Sequence, residues 1–115
     1  MIKQLLALAI LTVPTVTMAE SLANEILQRD TINGAGGIKA ILSAKDLQCQ
    51  PQLMDAQVLQ EPTDLKFHRN VPVSGYWREL WTLSCEQSKV VVPIKFVLDK
   101  TGASWIINID EIEFK

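Results

Sequence analysis

The sequence predicts an α+β fold: N-terminal helices packed on a C-terminal antiparallel β-meander of three or four strands, closed by one disulfide. Three observations carry this. After residue 20 the chain first shows apolar residues at helical spacing around a glycine-rich break. Its second half is built from β-branched and aromatic runs separated by short turn sequences. Two cysteines, Cys49 and Cys85, stand one in each half.

The 115 residues do not all belong to that domain. Met1-Ile2-Lys3 carries one positive charge, an apolar run follows from Leu5 to Val13, and Pro14 breaks it. Thr17-Met18-Ala19 then sets small residues at the −3 and −1 positions of a cut before Glu20. These are the parts of a secretory signal peptide. The run is far shorter than the roughly 20 apolar residues that span a bilayer. The expectation is a cleaved signal over 1–19, a single small domain over 20–115, a periplasmic location in a bacterium and no membrane span after cleavage. In that oxidising compartment two cysteines imply the pairing Cys49–Cys85.

The elements follow in order. Ser21 to Asp30 is expected to be helical, with Ser21 as cap and Leu22, Ile26 and Leu27 as the apolar stripe. Asn33-Gly34-Ala35-Gly36-Gly37 breaks the helix, and its spacing fits no phosphate-binding loop. Ile38 to Lys45 resumes the helical period, with Ile38, Ile41 and Leu42 on one side. Residues 53–60 alternate weakly, as a short strand would. Pro62 to Pro72 is polar and reads as a loop around His68-Arg69-Asn70. Tyr76 to Cys85, Val90 to Leu98 and Ala103 to Ile109 read as three strands. They are joined by Glu86-Gln87-Ser88-Lys89 and Asp99-Lys100-Thr101-Gly102.

A trial register tests the meander. With Cys85 opposite Val90, Leu83 meets Val92, Trp81 meets Ile94, Glu79 meets Phe96 and Trp77 meets Leu98. With Leu98 opposite Ala103, Phe96 meets Trp105, Ile94 meets Ile107 and Val92 meets Ile109. One face of all three strands then becomes apolar, which is the expected core face under the helices. Pro93 cannot donate to a ladder, so the middle strand is expected to bulge or lose pairing there.

Glu79 is the exception on that face, between Trp77 and Trp81. Two readings stand side by side. It is a structural carboxylate paired with Arg78, Lys95 or an indole N–H, or it anchors a ligand in a pocket with Trp77, Trp81 and Trp105. A structural role predicts that Glu79→Gln folds and keeps most hydrogen bonds. The opposite face carries Tyr76, Arg78, Leu80, Lys95, Val97 and Ile106, with Val91, and is too apolar for a plainly solvated surface. Either residues 53–73 cover it as a second layer, or it meets a partner.

The run Gly75-Tyr76-Trp77-Arg78-Glu79-Leu80-Trp81-Thr82-Leu83-Ser84-Cys85, with Pro93-Ile94-Lys95-Phe96 and Asp99-Lys100-Thr101-Gly102, has the pattern G-x-W-x-E-x-W-x-x-x-C, P-x-x-F, D-x-x-G. It resembles small exported proteobacterial proteins, mostly uncharacterised, over about the last 35–40 residues. The resemblance implies an exported α+β domain. This chain departs from it at Glu86, where the pattern often has glycine.

Without the signal the chain carries ten basic and thirteen acidic side chains, a net charge of −3. A mildly acidic protein with scattered charges is a poor nucleic-acid binder. His68 is the sole histidine, so no metal cluster is expected, and no cofactor motif or catalytic set stands out. The expected function is a non-catalytic periplasmic binding protein acting on another protein, as inhibitor, immunity factor or accessory chaperone. A binder of small molecules or envelope ligands through the Glu79 pocket is the alternative, and a small enzyme comes third.

Overall fold

The computed structural model describes residues 21–115. The expected signal peptide and its cut lie outside these residues. Two short helices, α1 (Glu25–Asn33) and α2 (Ile38–Ala44), precede one antiparallel sheet. Its strands are β1 (Gln52–His68), β2 (Val71–Cys85), β3 (Ser88–Asp99), β4 (Gly102–Ile107) and β5 (Glu113–Phe114). The order across the sheet is β1-β2-β3-β4, and β5 also pairs with β3.

Helix α1 starts four residues later than the sequence reading set it. Asn24 is the cap: its side-chain oxygen accepts from the Leu27 N–H at 2.8 Å, and Glu25 follows in the first turn. Ser21 is therefore free for another role. The later start also rotates the buried face. Leu27 and Thr31 point inward, whereas Leu22 and Ile26 are exposed. The glycine-rich segment does break the helix, and α2 buries Ile38 and Leu42 completely.

The segment read as a loop, Pro62 to Pro72, is instead the end of one strand and the start of the next. Arg69 and Asn70 both take positive φ, 53° and 67°, and His68 pairs with Val71 across them. Two consecutive left-handed residues make the hairpin turn whose twist suits flanking strands. The prolines sit where they do least harm. Pro62 lies in an irregular stretch of the edge strand, between Gln60 and Thr63. Pro72 faces Phe67, the first pair beyond the His68–Val71 pair that closes the turn, and such a pair exchanges no backbone bonds.

The β2–β3 turn is two residues shorter than expected. Cys85 pairs with Ser88, so Leu83 meets Val90, Trp81 meets Val92, Glu79 meets Ile94 and Trp77 meets Phe96. The correction is an even shift, which leaves every side chain on its expected face. Glu86 makes the tight turn with φ 59°, the conformation for which glycine is better suited. The β3–β4 register runs as expected, from Leu98–Ala103 through Phe96–Trp105 to Ile94–Ile107. Ile109 does not reach Val92, because the chain turns into a short 3-10 helix, Ile109–Glu111. It returns as β5 beside Val90 and Val91.

Pro93 explains where that edge parts. Counting from the Cys85–Ser88 pair, Leu80–Pro93 is a non-hydrogen-bonded pair, so the proline nitrogen faces away from β2. On that other side β4 ends at Ile94 and β5 begins at Val91. No bulge forms, and the ladder lapses at the one residue unable to donate.

The helices cover one sheet face. Ala23, Leu27, Ile38 and Leu42 join Trp77, Trp81, Leu83, Val90, Val92, Ile94 and Phe96 in one buried cluster. Trp77 stacks on Phe96 with ring centroids 5.0 Å apart, and Trp81 lies 5.7 Å from the same ring. The disulfide Cys49–Cys85 ties the segment after α2 to the end of β2, with Cα atoms 5.6 Å apart.

Candidate functional site

Glu79 is fully buried, and its environment is built from the chain's own donors. One carboxylate oxygen accepts from the Ser21 hydroxyl at 2.7 Å and the Trp81 indole N–H at 2.8 Å. The other accepts from the Leu22 backbone N–H at 2.9 Å and the Trp77 indole N–H at 2.6 Å. Alternation along β2 sets residues 77, 79 and 81 on one face, so both indoles flank the carboxylate. Ser21 Oγ also accepts from the Ala23 N–H at 3.0 Å, which folds 21–23 into a compact hook over Glu79.

The arrangement satisfies a buried carboxylate fully. All four partners are donors, so an amide keeps the shape of the side chain but not its bonds. Glutamine is therefore a poor replacement for Glu79, contrary to the sequence-based expectation. Of the residues grouped as a pocket, Trp77, Glu79 and Trp81 do come together, but Ser21 to Ala23 occupy the space before them. Trp105 stands apart. Its indole donates to the Gly36 carbonyl at 3.2 Å and its ring lies against Gly34, which docks the helical break onto β4. Ser21 and Leu22 are the partners the sequence reading missed. A cap residue and a backbone N–H carry no signal of a bond to a carboxylate 58 positions away.

The second candidate surface is the outer face of the sheet. Residues 53–68 do not fold over it. They extend the sheet sideways as β1, so among the described residues no second layer covers this face. Tyr76, Leu80, Lys95 and Val97 are half-buried, and Arg78 and Ile106 are exposed. The register brings all six into neighbouring rows. Tyr76 faces Val97, Arg78 faces Lys95, and Lys95 faces Ile106 on its other side.

Arg78 and Lys95 form a non-hydrogen-bonded pair, the kind that brings side chains closest, and like charges so placed repel. Among the described residues no ion pair joins either to a carboxylate; the pair that does form is Lys115–Glu113. The Lys95 ammonium lies 4.6 Å from the Tyr76 ring centroid, a cation–π contact. Beside these residues Gly75 takes φ 138°, and Leu65 and Thr63 of β1 pack where a β-carbon would stand. A concavity of about 630 Å³ lies here, walled by Asp64, Lys66, Tyr76, Lys95 and Val97.

Among the described residues no cluster of three or more histidine, cysteine or carboxylate side chains is arranged to hold a metal, and no helix is long and apolar enough to cross a membrane. His68 sits at the β1–β2 turn, away from Glu79. Asp99 has its carboxyl held below the ordinary value by the Thr101 hydroxyl and N–H, which donate at 2.6 and 2.7 Å; this fixes the β3–β4 turn. No family model, curated protein or solved structure matches this chain.

Proposed function

We propose that this is an exported, non-catalytic binding protein that acts on another protein through the outer face of its sheet. The observation that carries the reading is the Arg78–Lys95 pair, two cations set side by side without a carboxylate partner among the described residues, on a face that no described segment covers, with Tyr76, Leu80, Val97 and Ile106. Like charges in register cost stability, and an acidic partner would relieve them. Aromatic, arginine and aliphatic side chains around them form the mixture that dominates binding energy at protein interfaces. The disulfide supports an oxidising compartment.

The alternative of a ligand pocket at Glu79 loses its support, since the chain itself supplies all four hydrogen bonds to that carboxylate. The same occupancy argues against Glu79 as a catalytic acid or base. The inhibitor, immunity and accessory-chaperone variants of the proposal share one surface and differ only in the partner. Capture on immobilised mature protein tests it. Arg78→Glu and Ile106→Asp should each abolish capture of the partner without altering the melting temperature. Unchanged capture by both would refute the proposal.

A further inference from the structure

The β1–β2 hairpin runs past the rest of the sheet. The last β2 residue paired with β3 is Gly75, opposite Leu98, whereas β1 and β2 stay paired to His68–Val71. Residues 64–74 are therefore a two-stranded arm that continues past the last β2–β3 pair, with the β3–β4 turn alongside it at Lys100. A free two-stranded ribbon is marginal in water, and this one displays apolar side chains instead of shielding them. Leu65, Phe67 and Val71 are 38%, 57% and 59% exposed.

Its charge is one-sided. Beyond Asp64 at its base, residues 65–74 carry Lys66 and Arg69 and no carboxylate, although the domain is net acidic. Lys100, from the β3–β4 turn, shares a concavity with Phe67 and His68. The nearest carboxylates in sequence are Asp64, at the arm's base, and Asp99, which is engaged by Thr101.

The apex adds an independent sign. Arg69 takes φ 53° at the first turn position, where asparagine or glycine is the comfortable residue. A cation is held at the outermost point at a conformational cost, which directs attention to what it meets there.

We propose that this arm docks on an anionic lipid surface, with Phe67 and Val71 entering the headgroup boundary and Lys66, Arg69 and Lys100 facing lipid phosphates. An exposed hairpin end whose apolar side chains are flanked by cations suits an anionic lipid interface. The base of the arm adjoins the outer sheet face, since Lys66 shares a concavity with Val97, whereas Phe67 and Arg69 lie beyond it.

Flotation of the mature protein with phosphatidylglycerol–phosphatidylcholine vesicles tests the proposal. Binding is expected at low ionic strength, weakening with added salt, and absent with phosphatidylcholine alone. Lys66→Ala and Arg69→Gly should each weaken it about fivefold, and Phe67→Ser about fivefold to tenfold. Arg69→Gly should melt no lower than wild type, since it relieves the turn while removing the cation. Ile106→Asp, on the strand beyond β3, should leave flotation unchanged, which separates this test from that of the protein-binding face. No flotation with anionic vesicles, or flotation insensitive to Arg69→Gly and Phe67→Ser, would overturn the proposal. So would loss of protein capture, with lipid binding intact, in the arm variants, because it would assign the arm to a protein.

Discussion

Replacing Glu79 with glutamine changes one atom and should unsettle the whole domain. The amide retains one oxygen, which can serve two of the four donors. Its NH2 group must then face either the Leu22 N–H and Trp77 indole, or the Trp81 indole and Ser21. The Ser21 hydroxyl can turn and accept, but an indole N–H cannot, so at least one buried donor meets another donor. Two bonds to a charged group are lost or weakened, at about 1.5–3 kcal/mol each, and the cheaper burial of a neutral side chain returns part of this. The net loss is about 2–4 kcal/mol, on the order of 10–20 °C in melting temperature for a domain of this size. Urea unfolding followed by tryptophan fluorescence is the assay, because both indoles bonded to Glu79 lie in the core. Glu113→Gln is the control. Its ion pair with Lys115 is 3.9 Å long and largely exposed, so it should shift stability by less than about 0.5 kcal/mol. If Glu79→Gln melts within about 2 °C of wild type, the reading of Glu79 as the fold's polar hub is wrong.

Three further outcomes are expected. Replacing Cys49 and Cys85 together by alanine should cost about 4 kcal/mol by the loop-closure argument, and thiol labelling of the native protein should give no signal. Intact-mass measurement of the exported protein should give a chain beginning at Glu20; a chain retaining Met1 would contradict the export reading. Thr101→Ala removes the hydroxyl that donates to Asp99, so NMR titration should find the Asp99 pKa moved up toward its ordinary value. A depressed carboxyl pKa favours the folded state above the unfolded pKa, and that contribution fades as pH falls through the folded value. The variant should therefore lose pH dependence in the acid range, and an unmoved Asp99 pKa would show that Thr101 is not the cause.

What the sequence made legible was periodic. Alternation from Tyr76 to Ile107 carries face assignment whatever the turn length, which is why the two-residue slip at Glu86 left Trp77, Trp81, Leu83, Val92, Ile94 and Phe96 on the core side. The Pro62–Pro72 stretch misled because it is polar and bears a proline near each end. Both prolines fall at positions that need no N–H, and the turn that gives the hairpin away is Arg69-Asn70, not Asn-Gly. The helix start was misplaced because Ser21 and Asn24 are equally good caps, and only the tertiary bond to Glu79 draws Ser21 away. At the candidate site the residues of the outer face were readable from register. The four donors around Glu79 were not, since two of them come from a segment whose partner is fixed only by the packed fold.

The central proposal, that a sheet face left open by the described residues binds a protein, is tested most directly by Val97→Asp. Val97 lies between Tyr76 and Ser104 in the register, half-buried on that face, beside Lys95. Melting temperature and partner capture should be measured on the same preparation. If the face is open and binds, the variant melts within a few degrees of wild type, because the new carboxylate reaches water and the neighbouring cations, and capture is lost. If the face is covered, a buried unpaired charge unfolds the domain. A stably folded variant with undiminished capture would contradict the claim outright.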